Sequence, residues 1–205
     1  MTPRNFESLF EFYNDFVKVL YSSIQINNVL PVEVLFELNA AFDHISRRWC
    51  FGESEEVVVD KAYSHLKRAC LDIFKLQVRQ ASNYYKELRK IDTSVIDNGK
   101  FDRELIKLYH EIKYEAREAR RNEGDQRYDT NDKVLAFDYW EPVYQKCIRL
   151  EQDFYLHPAI EWAKKRSRIL TFKNFAFSIL ASFIAGYLSK NLLIKAYKII
   201  ISLFK

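Results

Sequence analysis

The stretch NFAFSILASFIAGYL, residues 174–188, contains no charged residue, although 29% of the 205-residue chain is Asp, Glu, Lys or Arg. A central helix of a soluble bundle and a helix that crosses a membrane both have such a composition. The sixteen uncharged residues between Lys173 and Lys190 would span about 24 Å as a helix, against about 30 Å for a hydrocarbon layer. Length alone therefore does not distinguish a central bundle helix from a membrane-spanning helix. The flanking residues are needed to decide.

The flanking residues favour a membrane. Three large apolar residues precede Lys173 and lengthen the segment, and the side chains of Lys173 and Lys190 are long enough to reach lipid headgroups. The strongly apolar residues contribute roughly −2 to −4 kcal/mol to insertion. Five basic residues at 164–173 predict that the preceding domain is cytoplasmic. We therefore predict a single transmembrane helix at about 172–189.

The rest of the chain predicts an all-α fold. Gly and Pro number only four each, and apolar residues recur at helical rather than alternating spacing. We predict a cytosolic bundle of about five to six helices in residues 1–163, as a sensor or regulatory domain, and a membrane domain in residues 164–205. The bundle helices are expected at about 6–23, 31–52, 54–91, 102–124 and 132–153. In the second helix, the positions predicted to face inward are Leu35, Leu38, Phe42, Ile45 and Trp49.

Charge is divided unevenly along the chain. Residues 164–205 contain nine Lys or Arg and no acidic residue, so residues 1–163 hold 23 basic against 28 acidic residues. A net negative domain is not expected to bind nucleic acid over its whole surface, and only a local basic patch could do so. The basic character of the C-terminal segment is typical of a sequence at an anionic membrane surface.

No signal for a cofactor or metal is present. The chain lacks a Gly-rich phosphate loop, a cluster of metal ligands and a nucleophile elbow, so we expect neither a cofactor nor a metal ion. Cys50, Cys70 and Cys147 are odd in number, far apart and lie in amphipathic helical patterns. They are predicted to be reduced cysteines in the core of a cytosolic domain.

Small residues recur along the predicted membrane helix. One row has a spacing of four residues, and a second row lies beside it. Small side chains at this spacing allow helix backbones to approach closely, which predicts a homo-oligomer. The residues predicted to pack helix against helix are Ser178, Ser182 and Gly186 in the first row, and Ala181 and Ala185 in the second.

The last segment, 190–205, is basic and amphipathic. Two lysines near its centre cost roughly 5 to 7 kcal/mol to insert, more than its apolar residues return, so it is not expected to insert alone. Two arrangements stay open. The segment lies in the membrane interface, or several copies turn their polar faces toward a shared watery lumen. The predicted pore or interface residues are Lys190, Asn191, Lys195 and Lys198.

Basic side chains also follow the polar faces of the second and third bundle helices. If these helices lie side by side, the cations could bind the phosphate of a ligand, with Arg68 or Arg48 as the clamp. The alternative is a solvated helix face. The predicted ligand-binding residues are Arg47, Arg48, Lys61, His65 and Arg68.

One enzymatic alternative rests on Arg103 and His110, which have six residues between them. This spacing resembles the R-x4-6-H motif of HEPN ribonucleases, which are also helical. By that resemblance, Arg103 would stabilise the phosphate and His110 would act in acid/base cleavage. Glu104 stands where that family usually has a small polar residue, and its charge would repel RNA.

The layout of the chain resembles that of bacterial antiphage membrane effectors. The phrases that carry the resemblance are NAAFDHISRRW at 39–49, YSHLKRACLDIFK at 63–75 and the segment from Lys164. Within that class it is most similar to the transmembrane effectors of Hailong systems, and next to the HEPN-like membrane accessory proteins of type VI-B CRISPR systems. The resemblance implies a channel in the bacterial inner membrane. A nucleotide or single-stranded oligonucleotide, made by a partner protein, would gate it. A non-enzymatic membrane-tethered scaffold is the remaining alternative.

Overall fold

The structure is a computed structural model, and it describes the backbone of residues 4–25, 31–123 and 135–203. Within these residues the regular structure is entirely helical, which confirms the predicted all-α fold. The α-helices of this part of the chain are α1 (Phe6–Phe12), α2 (Lys18–Ile24), α3 (Val32–Cys50), α4 (Glu55–Leu88), α5 (Lys100–Asn122), α6 (Leu135–Arg149) and α7 (Ala159–Leu203).

Local sequence signals set the helix boundaries. Asn5 begins α1 by accepting a hydrogen bond from the Ser8 amide at 2.9 Å, and the Ser8 hydroxyl accepts one from the Asn5 amide. A π-helical segment, Tyr13–Val17, joins α1 to α2 without a break. Gly52 follows α3 with a φ of +68°, which favours glycine. The predicted bounds of the first three bundle helices agree with the structure to within three residues.

Helix α4 is central in the bundle and packs against α1, α2, α3, α5 and α6. Phe74, near its middle, is 1% exposed and stacks on the buried Trp140 of α6 with ring centroids 6.2 Å apart. Trp140 Nε1 donates to Glu123 Oε1 at 3.0 Å, so the polar atom of this buried ring has a partner. Leu105 and Ile112 bring one face of α5 into the same core.

Two of the three cysteines occupy the predicted environment. Cys70 and Cys147 are buried and reduced, whereas Cys50, the last residue of α3, is exposed, so its placement in the core was wrong. Burial raises the pKa of the Cys147 thiol to about 12, and it raises the pKa of Cys70 as well. Both buried thiols are therefore uncharged and serve as small packing groups.

Helix α3 presents a different face to the core from the one predicted. Val34 and Ala41 are buried, whereas Phe42 is 71% exposed and Trp49 is 68% exposed. The apolar side of α3 is wider than its contact with α4, so residues at the edge of that side stay outside the core. Trp49 instead stacks on Phe6 of α1 with ring centroids 5.1 Å apart. The inward placement of Phe42 and Trp49 was therefore wrong.

Helix α7 begins on the bundle and then leaves it. Ile160 and Ala163 are buried, whereas every residue from 172 to 187 is exposed. Among the residues that the structure describes, no helix combines the length and the apolar character needed to cross a membrane. The structure thus gives no support to the predicted span at about 172–189, whose uncharged run between two lysines is only about 24 Å long.

Candidate functional site

The residues predicted to form a phosphate pocket lie on α3 and α4, and these two helices pack side by side. His65 Nδ1 lies 2.6 Å from Glu37 Oε2, and Arg68 Nη1 lies 3.9 Å from Glu37 Oε1. One carboxylate of α3 therefore faces two of the predicted ligand-binding residues of α4. An incoming anion would have to displace Glu37 before it could reach them.

A second carboxylate, Glu53, faces the other cations. Arg47 and Lys61 each place a nitrogen 3.7 Å from its side chain, and Arg47 also pairs with Asp43 at 3.0 Å. Arg48 Nη1 donates to the backbone carbonyl of Glu53 at 3.0 Å. The structure thus brings the five predicted residues to the same pair of helices, but as an ion-pair network of mixed sign rather than as a cationic pocket.

Sequence reasoning missed the acidic members of this network. Glu37 lies seven residues before His44 and therefore on the same side of α3, a spacing that could have indicated its position. Glu53 lies between the two helices, where helical spacing has no predictive value. Contact between separate helices decides these pairings, and a periodic pattern within one helix does not reveal it.

His44 is the neutral member of the network. Its ring stacks on His65 with centroids 5.2 Å apart, and its Nδ1 is buried without a hydrogen-bond partner among the described residues. Burial lowers the pKa of His44, and the neighbouring charges of His65, Arg47 and Lys61 lower it further, against a small opposing effect of Asp43. Protonating His44 in the folded state would place a positive charge beside the cations Arg47 and Lys61.

We expect acid to destabilise the protein through His44. Because its folded-state pKa lies below the unfolded value, its contribution to stability is complete above the unfolded pKa and is lost as pH falls through the folded pKa. His44→Phe removes this titration, so its free energy of unfolding should fall less between pH 7 and pH 5 than that of wild type. Urea denaturation at both pH values measures the difference. The same substitution at exposed His110 is the control, and equal flattening by both variants would contradict the assignment.

The residues of the ribonuclease alternative share one side of α5. Arg103 and His110 are both exposed and two helical turns apart, which places them about 10 Å from each other along the axis. Glu104, which was expected to repel RNA, pairs with Lys100 at 3.8 Å. The described residues contain no group of three or more His, Cys, Asp or Glu side chains arranged to hold a metal ion. RNA cleavage by Arg103 and His110 stays a prediction.

An open groove runs along the exposed part of α7, with a volume of about 570 Å³. The row Ser178, Ser182 and Gly186 lines it together with large apolar side chains, among them Phe175 and Phe183. The Ser182 hydroxyl donates to the Ser178 carbonyl at 2.8 Å, so it is satisfied within the helix and leaves the groove largely apolar.

The second predicted row, Ala181 and Ala185, is also exposed, on the adjacent side of α7. The pore or interface residues Lys190, Asn191, Lys195 and Lys198 lie outside the residues whose side chains the structure describes. Both predicted arrangements of the segment 190–205 therefore stay predictions.

A buried polar pair lies where α7 joins the bundle. Tyr84 of α4 donates from its hydroxyl to Glu151 Oε1 at 2.8 Å, and its ring stacks on Tyr155 with centroids 3.9 Å apart. Burial, together with a smaller effect of Glu151, raises the pKa of Tyr84 to about 12. Tyr155 also lines a cavity of about 270 Å³ with Ile160 and Lys164 of α7. This junction connects the bundle to the exposed helix.

No protein-family model, curated protein or solved structure matches this chain.

Proposed function

We propose that the protein is an oligomeric membrane effector in which the helical bundle regulates α7. One observation carries the proposal: residues 172–187 of α7 are exposed on every side of the helix, including five large aromatic side chains. Such a helix is not stable in water, because its large apolar side chains are left exposed by the part of the bundle that the structure describes. Lipid and further copies of the same helix are the surroundings that would cover all of its sides.

The residues just before this segment support lipid as the surrounding. Trp162 is 49% exposed, and the Arg166 guanidinium lies 5.4 Å from the centre of its ring. An exposed tryptophan next to basic side chains is typical of the membrane–water interface, where the indole ring contacts headgroups and the cations attract anionic lipid. Lys165 and Arg166 are both exposed at the same level of the helix. The bundle would then lie on the cytoplasmic side of the bacterial inner membrane.

A short apolar helix can act on a bilayer when several copies assemble. The uncharged run of about 24 Å fits a locally thinned hydrocarbon layer, at a modest cost for each ångström of mismatch. The groove along Ser178, Ser182 and Gly186 provides a surface on which a neighbouring α7 helix would pack. The lysines of residues 190–205 would lie in the interface or line a shared lumen, and an assembly that encloses a lumen would depolarise the membrane. This activity fits a role in antiphage defence.

The bundle would control this assembly. A nucleotide or single-stranded oligonucleotide, supplied by a partner protein that synthesises it, is the proposed signal. At α3 and α4 such a ligand would compete with Glu37 and Glu53 for the cations, and the exchange of ion pairs would change the packing of the two helices. Tyr84 belongs to α4, and its contacts with Glu151 and Tyr155 at the α7 junction would carry a change of this kind toward α7.

Deletion of residues 172–205 tests the proposal. We expect the full-length protein to sediment with membranes and to depolarise cells, as measured with a potential-sensitive dye, and the shortened protein to do neither. The shortened protein should keep the helical circular dichroism of the bundle, which serves as the control. A full-length protein that stays in the soluble fraction as a monomer would overturn the proposal.

Two further arms separate the alternatives. A passive scaffold would keep its activity when residues 172–205 are replaced by an unrelated membrane helix, whereas an assembling effector would lose it. A ribonuclease would lose RNA cleavage in Arg103→Ala and His110→Ala, and would cleave RNA without residues 172–205.

A further inference from the structure

The outer face of α5 is strongly basic, although the bundle as a whole is acidic. Ten positions between Lys100 and Arg121 are exposed, and they comprise seven Lys or Arg, one acid, one His and one Tyr. Successive residues of an α-helix are rotated by about 100°, and on this geometry six of the ten positions lie within an arc of about 80° around the helix axis. We name this set the basic row: Arg103, Lys107, His110, Tyr114, Arg117 and Arg121.

The acidic residues of α5 all form ion pairs, and two of them pair with α6, away from this face. Glu111 and Glu115 both pair with Lys146 of α6, the first at 3.2 Å. Glu118 pairs with Arg121 at 2.6 Å. As a result, five cations of the outer face make no ion pair with any residue that the structure describes. They are Arg103, Lys107, Lys113, Arg117 and Arg120.

An aromatic ring interrupts the cations. Tyr114 is 66% exposed and follows His110 by one turn in the middle of the basic row. The row extends over about 27 Å with one polar or aromatic group at each turn of about 5.4 Å. Cations that contact phosphates, next to an exposed ring on which a base can stack, are the features with which proteins bind single-stranded nucleic acid.

We infer that the basic row binds single-stranded nucleic acid through its phosphates, with Tyr114 stacked on an unpaired base. An anionic membrane surface fits less well, because the apolar side of α5 is buried in the core and none of the ten exposed positions is aliphatic. The inference rests on α5 and its ion pairs with α6, and it concerns a different surface from the α3 and α4 residues proposed above for the nucleotide or oligonucleotide signal. It goes beyond the proposed membrane activity and does not depend on it.

The test measures binding of a fluorescein-labelled 16-nucleotide single strand, as RNA and as DNA, by fluorescence anisotropy with the full-length protein in non-ionic detergent. We expect the logarithm of the affinity to fall with the logarithm of salt concentration with a slope of about −3, from four to five phosphate contacts. The double variant Lys107→Glu/Arg117→Glu should weaken binding about tenfold or more and reduce the slope by about 1.4.

Two matched controls accompany this variant. Lys18→Glu/Lys86→Glu makes the same change in net charge at exposed lysines of α2 and α4, and it should alter affinity less than about twofold. Tyr114→Ala should weaken binding about tenfold through loss of stacking, whereas Tyr114→Phe should keep it.

Several outcomes would overturn the inference. They are undetectable binding, equal losses in the two charge-reversal variants, equal affinity for a duplex of the same length, and equal effects of the two Tyr114 substitutions.

A parallel experiment uses phosphatidylglycerol vesicles, to which the α5 variant should bind as well as wild type does. Vesicle binding that is lost with the α5 variant would assign the face to lipid instead. A failure of membrane association would leave the binding result unchanged, so the two proposals fail separately.

Discussion

Replacing Gly186 by leucine is expected to abolish depolarisation by the full-length protein while the bundle stays folded. A Cβ atom at Gly186 would meet nothing within 4 Å, so the chain itself has room for a larger side chain. A neighbouring helix that packs into the groove along Ser178, Ser182 and Gly186 leaves no room for the leucine. The added side chain would hold the two backbones apart. Loss of 1 to 2 kcal/mol per helix contact corresponds to a factor of about 5 to 30 in the equilibrium constant of each association step.

The control for this variant is Ala176→Leu. Ala176 is exposed on α7 and lies about 80° from Gly186 around the helix, outside both rows of small residues. Both substitutions introduce a leucine and raise the apolar character of α7, so they affect insertion in the same direction. Only Gly186→Leu should shift cross-linked oligomers toward the monomer and remove the dye signal. Unchanged depolarisation by Gly186→Leu would show that assembly does not use this groove.

Helical periodicity predicted the elements of the bundle but not their neighbours. The spacing of apolar residues predicted the ends of α1 to α4 to within three residues. This works because the apolar residues of each helix recur on the side that is buried. Phe42 and Trp49 were placed inward because they extend the apolar side of α3. Their exposure depends on how much of that side α4 covers, which is a property of two helices together.

The candidate sites show the same limit. Five basic residues of α3 and α4 were predicted to form a phosphate pocket if the two helices lie side by side. The helices do pack together, but Glu37 and Glu53 face these basic side chains, and the roles of the two carboxylates depend on tertiary contacts. On α5, by contrast, tertiary contacts draw acidic residues away from a basic face. The sequence alternates basic and acidic residues, and only the pairing of Glu111 and Glu115 with Lys146 leaves an outer face that is almost wholly basic.

Phe74→Ala should have the largest effect on stability, with a loss of about 3 to 5 kcal/mol in the free energy of unfolding. The Phe74 ring is 1% exposed, stacks on Trp140 and meets Phe137 and Tyr144 edge to face, so its removal leaves a cavity lined by three aromatic rings. A typical domain is stable by about 5 to 15 kcal/mol, so the variant would lose a large share of that. Because all three rings belong to α6, this helix should loosen first.

The matched control is Phe42→Ala, which removes the same side chain from a site that is 71% exposed and should cost less than about 1 kcal/mol. Guanidinium denaturation of the full-length protein in mild detergent, followed by tryptophan fluorescence, measures both variants. Trp140 is buried whereas Trp49 and Trp162 are exposed, so the emission shift on unfolding reports mainly on the ring that Phe74 contacts. Equal losses at the two positions would mean that Phe42 is a core residue, as its spacing in α3 predicts. A small loss at Phe74 would mean that α6 is not held to α4 by this aromatic cluster.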